Sequence, residues 1–147
     1  MTGARLILEI SMCLPAIAAA EDRCPWLNAA TAGGVLGGAV HATVTPASCE
    51  FVRQSGGHDL ALRIEVGPVN APHAQCGAHA EPLKAIGNEA QACAYEGKDG
   101  WIGEQVTGRV RDQAFLVRVS TNDRSAAPKT LREKARNVAE QVAGFLF

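Results

Sequence analysis

The sharpest group of side chains for chemistry in this 147-residue chain is His73, Cys76, His79 and Cys93. His-x-x-Cys-x-x-His brings two imidazoles and a thiol close together, and neutral imidazole with thiolate suits Zn²⁺. Using Cys76 and Cys93 as ligands would leave Cys24 and Cys49 to pair alone. Pro72 and Gly77 mark the segment as a loop, where the histidines can simply be solvated. Zn²⁺ held by His73 and His79, with or without the thiols, is therefore the alternative reading, and no other cofactor is indicated. His41 and His58 fall in strand-start and turn contexts that suit surface residues.

Hydrolytic chemistry finds little footing. Ser55 sits in Arg-Gln-Ser-Gly-Gly, which is not a Gly-x-Ser-x-Gly elbow, and Ser48 precedes Cys49 without a nearby base. A cysteine nucleophile needs a free, activated thiol. Glu65, Glu89, Glu96 and Glu104 are scattered and read as solvated strand or turn carboxylates. No catalytic residue is assigned, and the expectation is a protein that is not an enzyme. Arg53, Arg63, Arg109 and Arg118 stand in strand-like runs and could share the wet face of one sheet. Arginine recognises carboxylate and phosphate bidentately. Arg63, Arg109 and Arg118 are accordingly the candidate ligand-binding residues, against the plainer reading of surface charge that discourages edge aggregation.

The element that would position them is a hairpin over Trp101 to Ser120. Phe115, Val117 and Val119 alternate with Leu116, Arg118 and Ser120, and successive strand side chains point to opposite faces. Ile102, Val106 and Val110 share a face in the preceding run, and Arg111-Asp112-Gln113 is a polar break. Gln105, Thr107, Arg109 and Arg118 would line a solvated side, as in an antiparallel sheet covered on one face only. Leu131, Ala135, Val138, Val142 and Phe145 follow as an amphipathic helix stripe, with Pro128 in the first turn. The helix covers the apolar face, and the chain is expected to dock its last residues, Leu146 and Phe147. Its other face mixes both charge signs, unlike a membrane-surface helix.

Upstream, Asn28 caps a helix over Ala29 to Leu36 that Gly37-Gly38 ends. Residues 39–53 alternate, with Pro46 suggesting an edge or a bulge. A turn over 54–59 leads to a strand over Leu60 to Val66. Residues 67–77 form a Pro/Gly/Ala-rich loop, Glu81 to Ile86 a short helix, and Glu89 to Tyr95 a strand carrying Cys93. The fold class is α+β: an antiparallel sheet of about five strands, an N-terminal helix and a C-terminal amphipathic helix packed on one face, and two disulfides.

Compartment follows from the N-terminus and the cysteines. Arg5 precedes an apolar run from Leu6 to Ala19, and Ala18-Ala19-Ala20 offers a small-x-small cleavage site. Residues 1–20 read as a signal peptide and 21–147 as a single exported domain, with no transmembrane segment in the mature chain. Cys13 would leave with the signal. Cys24, Cys49, Cys76 and Cys93 remain, an even set that implies two disulfides in an oxidising compartment. Three pairings are open; the sequential one closes loops with separations of 25 and 17. Charged residues are 20% and the net charge is −1, which excludes the basic surface of a nucleic-acid binder. Aromatics are only 5%, so the core is light and covalent staples matter.

Several short motifs point to a family. Cys24 precedes a Leu-x-x-Ala helix start (Leu27 to Ala30) that ends in Leu36-Gly37. Cys49-Glu50-Phe51 follows, then Gly87-Asn88-Glu89-Ala90, strands ending in Val117-Arg118-Val119, and an alanine-rich closing helix. Over residues 24–147 this resembles small secreted domains of actinobacterial lipoproteins and the extracellular sensor domain of a mycobacterial receptor-type Ser/Thr kinase. The resemblance implies a helix-flanked antiparallel sheet with two disulfides and a ligand-binding or sensing role. The chain departs from it in lacking a lipobox, a transmembrane helix and a kinase. The expectation is an exported bacterial protein, periplasmic or secreted, that binds a small molecule or an envelope protein without catalysis. The alternatives are a metal-binding protein and a cell-envelope enzyme inhibitor presenting the loop 67–77.

Overall fold

The computed structural model describes residues 23–71 and 74–147. The expected signal segment and His73 lie outside the described residues. Ten short elements follow one another: helix α1 (Ala29–Leu36), strands β1 (His41–Val44), β2 (Ser48–Ser55), β3 (His58–Pro68), β4 (Glu81–Leu83) and β5 (Glu89–Glu96), a 3₁₀ turn (Lys98–Gly100), strands β6 (Ile102–Val110) and β7 (Gln113–Thr121), and helix α2 (Pro128–Leu146). The strands form one seven-stranded sheet in the order β1-β2-β3-β7-β6-β5-β4. Every pairing is antiparallel. Two meanders, β1-β2-β3 and β4-β5-β6-β7, are thus joined where β3 runs against β7.

The expected hairpin forms, with Arg111-Asp112 as its turn and Val110 opposite Gln113. Arg111 takes a positive φ of 55°, and its N–H donates to Asn88 Oδ1 at 2.6 Å. On the β2–β3 hairpin Gly56 and Gly57 have φ of 59° and 82°. Two left-handed residues in a two-residue loop match the twist of the strands, and glycine adopts them without a Cβ penalty.

Alternation assigns the faces. Cys49, Ile64, Val117, Val106 and Ala92 lie in one cross-strand row, and Phe51, Leu62 and Val119 in the next. All eight are buried. The helices close this face over different strands, α1 over β2 and β3, and α2 over β5, β6 and β7. Asn28 Oδ1 accepts from the Thr31 N–H at 2.8 Å, and Gly37 at φ 81° ends α1 with its N–H on the Gly33 carbonyl. Ala32 and Leu36 are its buried residues. The Lys134 ammonium of α2 donates to the Val35 carbonyl at 2.6 Å, satisfying an end carbonyl of α1 and tying the two helices together.

The sheet is larger than the sequence suggests. Pro46 sits in a turn that divides 39–53 into β1 and β2, with Val44 opposite Cys49. Residues 81–83 are strand rather than helix: Glu81, Pro82 and Leu83 pair with Ala92, Gln91 and Ala90. Pro82 lacks an N–H, which an edge strand tolerates. Gly87 at φ 61° then packs so closely on Arg109 that a Cβ would meet its carbonyl oxygen at 2.5 Å. The α2 stripe also turns off earlier than its spacing implies. Leu131, Ala135, Val138, Ala139, Val142 and Ala143 are buried, while Phe145 and Phe147 are 61% and 60% exposed. Leu146, one residue further along the 3.6-residue period, packs on the core instead.

Both disulfides join neighbours in sequence, Cys24–Cys49 and Cys76–Cys93. The first sits inside the core, with Cys49 fully buried. The second straps the segment after β3 across the other face of the sheet, with Cys76 Sγ 3.9 Å from Thr107 Oγ1. That face is consequently not wholly wet. Gln105, Thr107 and Leu116 are at most 8% exposed, although simple alternation assigns all three to solvent.

Candidate functional site

Strand register places Arg63, Arg109 and Arg118 on the face away from the helices, as their alternation implies. Arg63 and Arg118 stand directly opposite one another on β3 and β7. Like charges in that position repel, and the two side chains resolve the conflict differently. Arg63 Nε donates to Glu65 Oε1 at 2.7 Å and its Nη1 to Glu50 Oε2 at 3.1 Å. Partial burial works against its charge, but the bonds and fields of Glu65 and then Glu50 outweigh it and raise its pKa above the ordinary arginine value. Arg109 donates to Glu89 Oε1 at 3.2 Å and to the Arg111 carbonyl at 3.3 Å.

Arg118 has no such counter-ion among the described residues. Its Nε and Nη2 both donate to Gln105 Oε1, at 3.0 and 2.9 Å. The guanidinium carbon lies 3.8 Å from the centroid of the Tyr95 ring. Gln105 is in turn 3.5 Å from Cys93 Sγ through Nε2. A neutral amide, a π-face and a disulfide therefore fix the orientation of the cation without neutralising it. Planar guanidinium stacks on aromatic faces and keeps its in-plane donors available. Tyr95 is the residue sequence reasoning missed, and the signal was present: Tyr95 shares the parity of Cys93 on β5.

Arg53 does not belong to this group. Its neighbours in register are Leu60 and, one strand on, Thr121, so it lies on the helix face. Its Cδ and Nη1 pack against Gly38 and Gly37. A one-residue step in parity separates it from Glu50 and Val52, and that step decides the face.

Beside Arg109 the polar face opens into a groove of about 760 Å³. Leu83, Gln91, Thr107 and Arg109 contribute from the sheet, and Ile86 and Asn88 from the connection between β4 and β5. Its size falls in the range of small-molecule sites, roughly 300–1,000 Å³. Glu89 is the carboxylate lining it.

The other sequence candidates scatter. Cys76 and Cys93 are consumed by their disulfide and are not thiolate ligands. His79, His41 and His58 are exposed, and among the described residues no three His, Cys, Asp or Glu side chains are grouped to hold a metal ion. Ser48 Oγ is engaged with Thr45 Oγ1 at 2.8 Å. Glu104 is not solvated: it is 4% exposed on the helix face. Arg132 of α2 grips it through Nε at 2.9 Å and reaches Glu81 through Nη1. These two carboxylates converge on a guanidinium, which makes them a tie between α2 and the sheet. Among the described residues no helix is long and apolar enough to cross a membrane.

Comparison with protein-family models, curated proteins and solved structures finds no match for this chain, and nothing in them links it to lipoprotein domains or to a kinase sensor domain.

Proposed function

We propose that this chain is a non-catalytic exported domain that binds, through the polar face of its sheet, a small molecule or envelope protein presenting an anionic group. The observation that carries the reading is the contrast among three arginines on one face. Glu50 and Glu65 neutralise Arg63 and Glu89 neutralises Arg109, whereas Gln105 and Tyr95 hold Arg118 with no counter-ion among the described residues. A cation held in one orientation has already met part of the ordering cost of binding. The groove beside Arg109 lies on the same face, with Thr107 and Arg109 but not Arg118 in its lining. Two disulfides are consistent with an extracellular or periplasmic setting.

The test is a thermal-shift screen of the mature protein against small carboxylates and phosphorylated compounds, with Arg118→Gln and Arg63→Gln run in parallel. A ligand at 100 times its Kd stabilises by about 2.7 kcal/mol. The reading expects at least one compound to raise the Tm of wild type and of Arg63→Gln, and to leave Arg118→Gln unmoved. Equal responses from wild type and Arg118→Gln would remove Arg118 from the site.

A further inference from the structure

The opposite face of the sheet carries a second unneutralised cation. Arg53 is half-buried, and its Nε is fully buried without a hydrogen-bond partner among the described residues. No ion pair involves Arg53 among the described residues. A buried donor left unmade costs about 1–3 kcal/mol, and more when the group is charged. Most buried donors in native folds are satisfied, so an unpaired one calls for a partner.

Arg53 lines a cavity of about 240 Å³ between the β2–β3 hairpin and the start of α2. Lys134, His58 and Thr130 share its wall with Asp59 and Asp123. Among the described residues no ion pair joins either acid to Arg53 or Lys134. Asp123 accepts from Ser125 through both its backbone N–H and its Oγ, at 3.0 and 2.7 Å. Asp59 donates its backbone N–H to Asn122 Oδ1 at 2.9 Å, and its carbonyl accepts from Thr121 Oγ1 at 2.7 Å. Lys134 spends one donor on the Val35 carbonyl and retains two. The first turn of α2 contains no acidic residue and receives no side-chain cap, so its positive end keeps uncapped backbone donors.

We propose that this cavity binds a small oxyanion, a carboxylate or phosphate group, through Arg53 and Lys134. The site is separate from Arg118, on the other side of the sheet. Its volume suits a single anionic group or a compact metabolite-sized acid. The occupant would supply the acceptor that Arg53 Nε lacks.

The experiment is a ¹H–¹⁵N titration of the mature protein with sodium phosphate and, separately, sodium acetate, against sodium chloride at matched ionic strength. The expected result is saturable shifts at the amides of Thr130 and Leu131 and at the Arg53 Nε–H with phosphate, acetate or both, and none with chloride. Which oxyanion saturates identifies the ligand class. Arg53→Gln should weaken the response about ten-fold or more, the loss of one charge-assisted bond, while Arg118→Gln should leave it unchanged. If Arg53→Gln does not fold, Lys134→Gln reads the same site. Absence of saturation with both oxyanions in wild type, or an unaltered affinity in Arg53→Gln, would overturn the proposal. Loss of these shifts in Arg118→Gln would do so as well, because the two faces would then share one site.

Discussion

Removing the disulfides one at a time should reveal two staples of unequal consequence. Cys24–Cys49 spans 25 residues and Cys76–Cys93 spans 17. In the chain-entropy description these closures contribute roughly 3.5 and 3.1 kcal/mol. The loop term alone barely separates them, but their surroundings do. Cys49 is fully buried in the row with Ile64 and Val117, and Cys24 packs on the same cluster. Cys24→Ala/Cys49→Ala therefore also opens a void under α1 and releases the segment holding Trp26 and Leu27. Removing buried atoms adds about 1 kcal/mol or more to the loop term. Cys93 is 8% exposed but Cys76 is only half-buried, so Cys76→Ala/Cys93→Ala should lose less beyond its loop term. We expect losses of about 4–5 and about 3 kcal/mol respectively, against a total of about 5–15 kcal/mol for a domain. Urea unfolding followed by circular dichroism, with the slope checked for constancy, measures both. Dithiothreitol should also cleave Cys76–Cys93 first, since exchange needs access to a sulfur. Equal midpoints for wild type and the Cys76/Cys93 variant, or the larger loss falling on that variant, would refute this reasoning.

Three further outcomes follow from the packing. Arg132→Met leaves Glu104 buried without its cation and should destabilise by about 2–4 kcal/mol; Glu104→Leu combined with Arg132→Met should recover most of that, as measured by a thermal double-mutant cycle. Gly103→Ala forces a Cβ against the Val119 carbonyl oxygen and the Ser120 Cα, and should cost about 1–3 kcal/mol in the same assay. Hydrogen bonds from the Ser125 hydroxyl and backbone N–H lower the pKa of Asp123 below 3.8. A depressed folded-state pKa contributes stability that is present above the unfolded value and lost as pH falls through the folded one. The Tm of Asp123→Asn should therefore fall less steeply than that of wild type below pH 3.8.

Much of the architecture was legible because strand alternation is a strict signal. The parity of Phe115, Val117 and Val119 correctly gave the core face of β7. The Asn28 cap and the Gly37 stop bounded α1 to the residue. What escaped depended on contacts distant in sequence. Residues 81–83 have a helix-like local composition, with Pro82 suited to a first turn, yet pairing with β5 satisfies their backbone and decides the outcome. Glu104 reads as a solvated carboxylate although it shares the parity of Ile102 and Val106; it is buried on the core face, and the approach of Arg132, 28 residues later, explains how a carboxylate survives there. Gln105 and Thr107 read as solvated because the strap from Cys76 to Cys93, which touches both, cannot be seen in a local pattern. The arginine face was legible in the same uneven way. Parity put Arg63, Arg109 and Arg118 together, but which of them keeps an uncompensated charge depends on Glu50, Glu65 and Glu89 across neighbouring strands.

The Arg118 side chain itself offers the most direct test of the binding role. Its Nε–H resonance should be sharp and protected in the free protein, because Gln105 and Tyr95 hold it, and should shift saturably when acetate is added at constant ionic strength. The Nε–H of Arg63, already bonded to Glu65, should stay in place. An Arg118 signal that is averaged by free rotation, or that ignores acetate while Arg63 responds, would contradict the account.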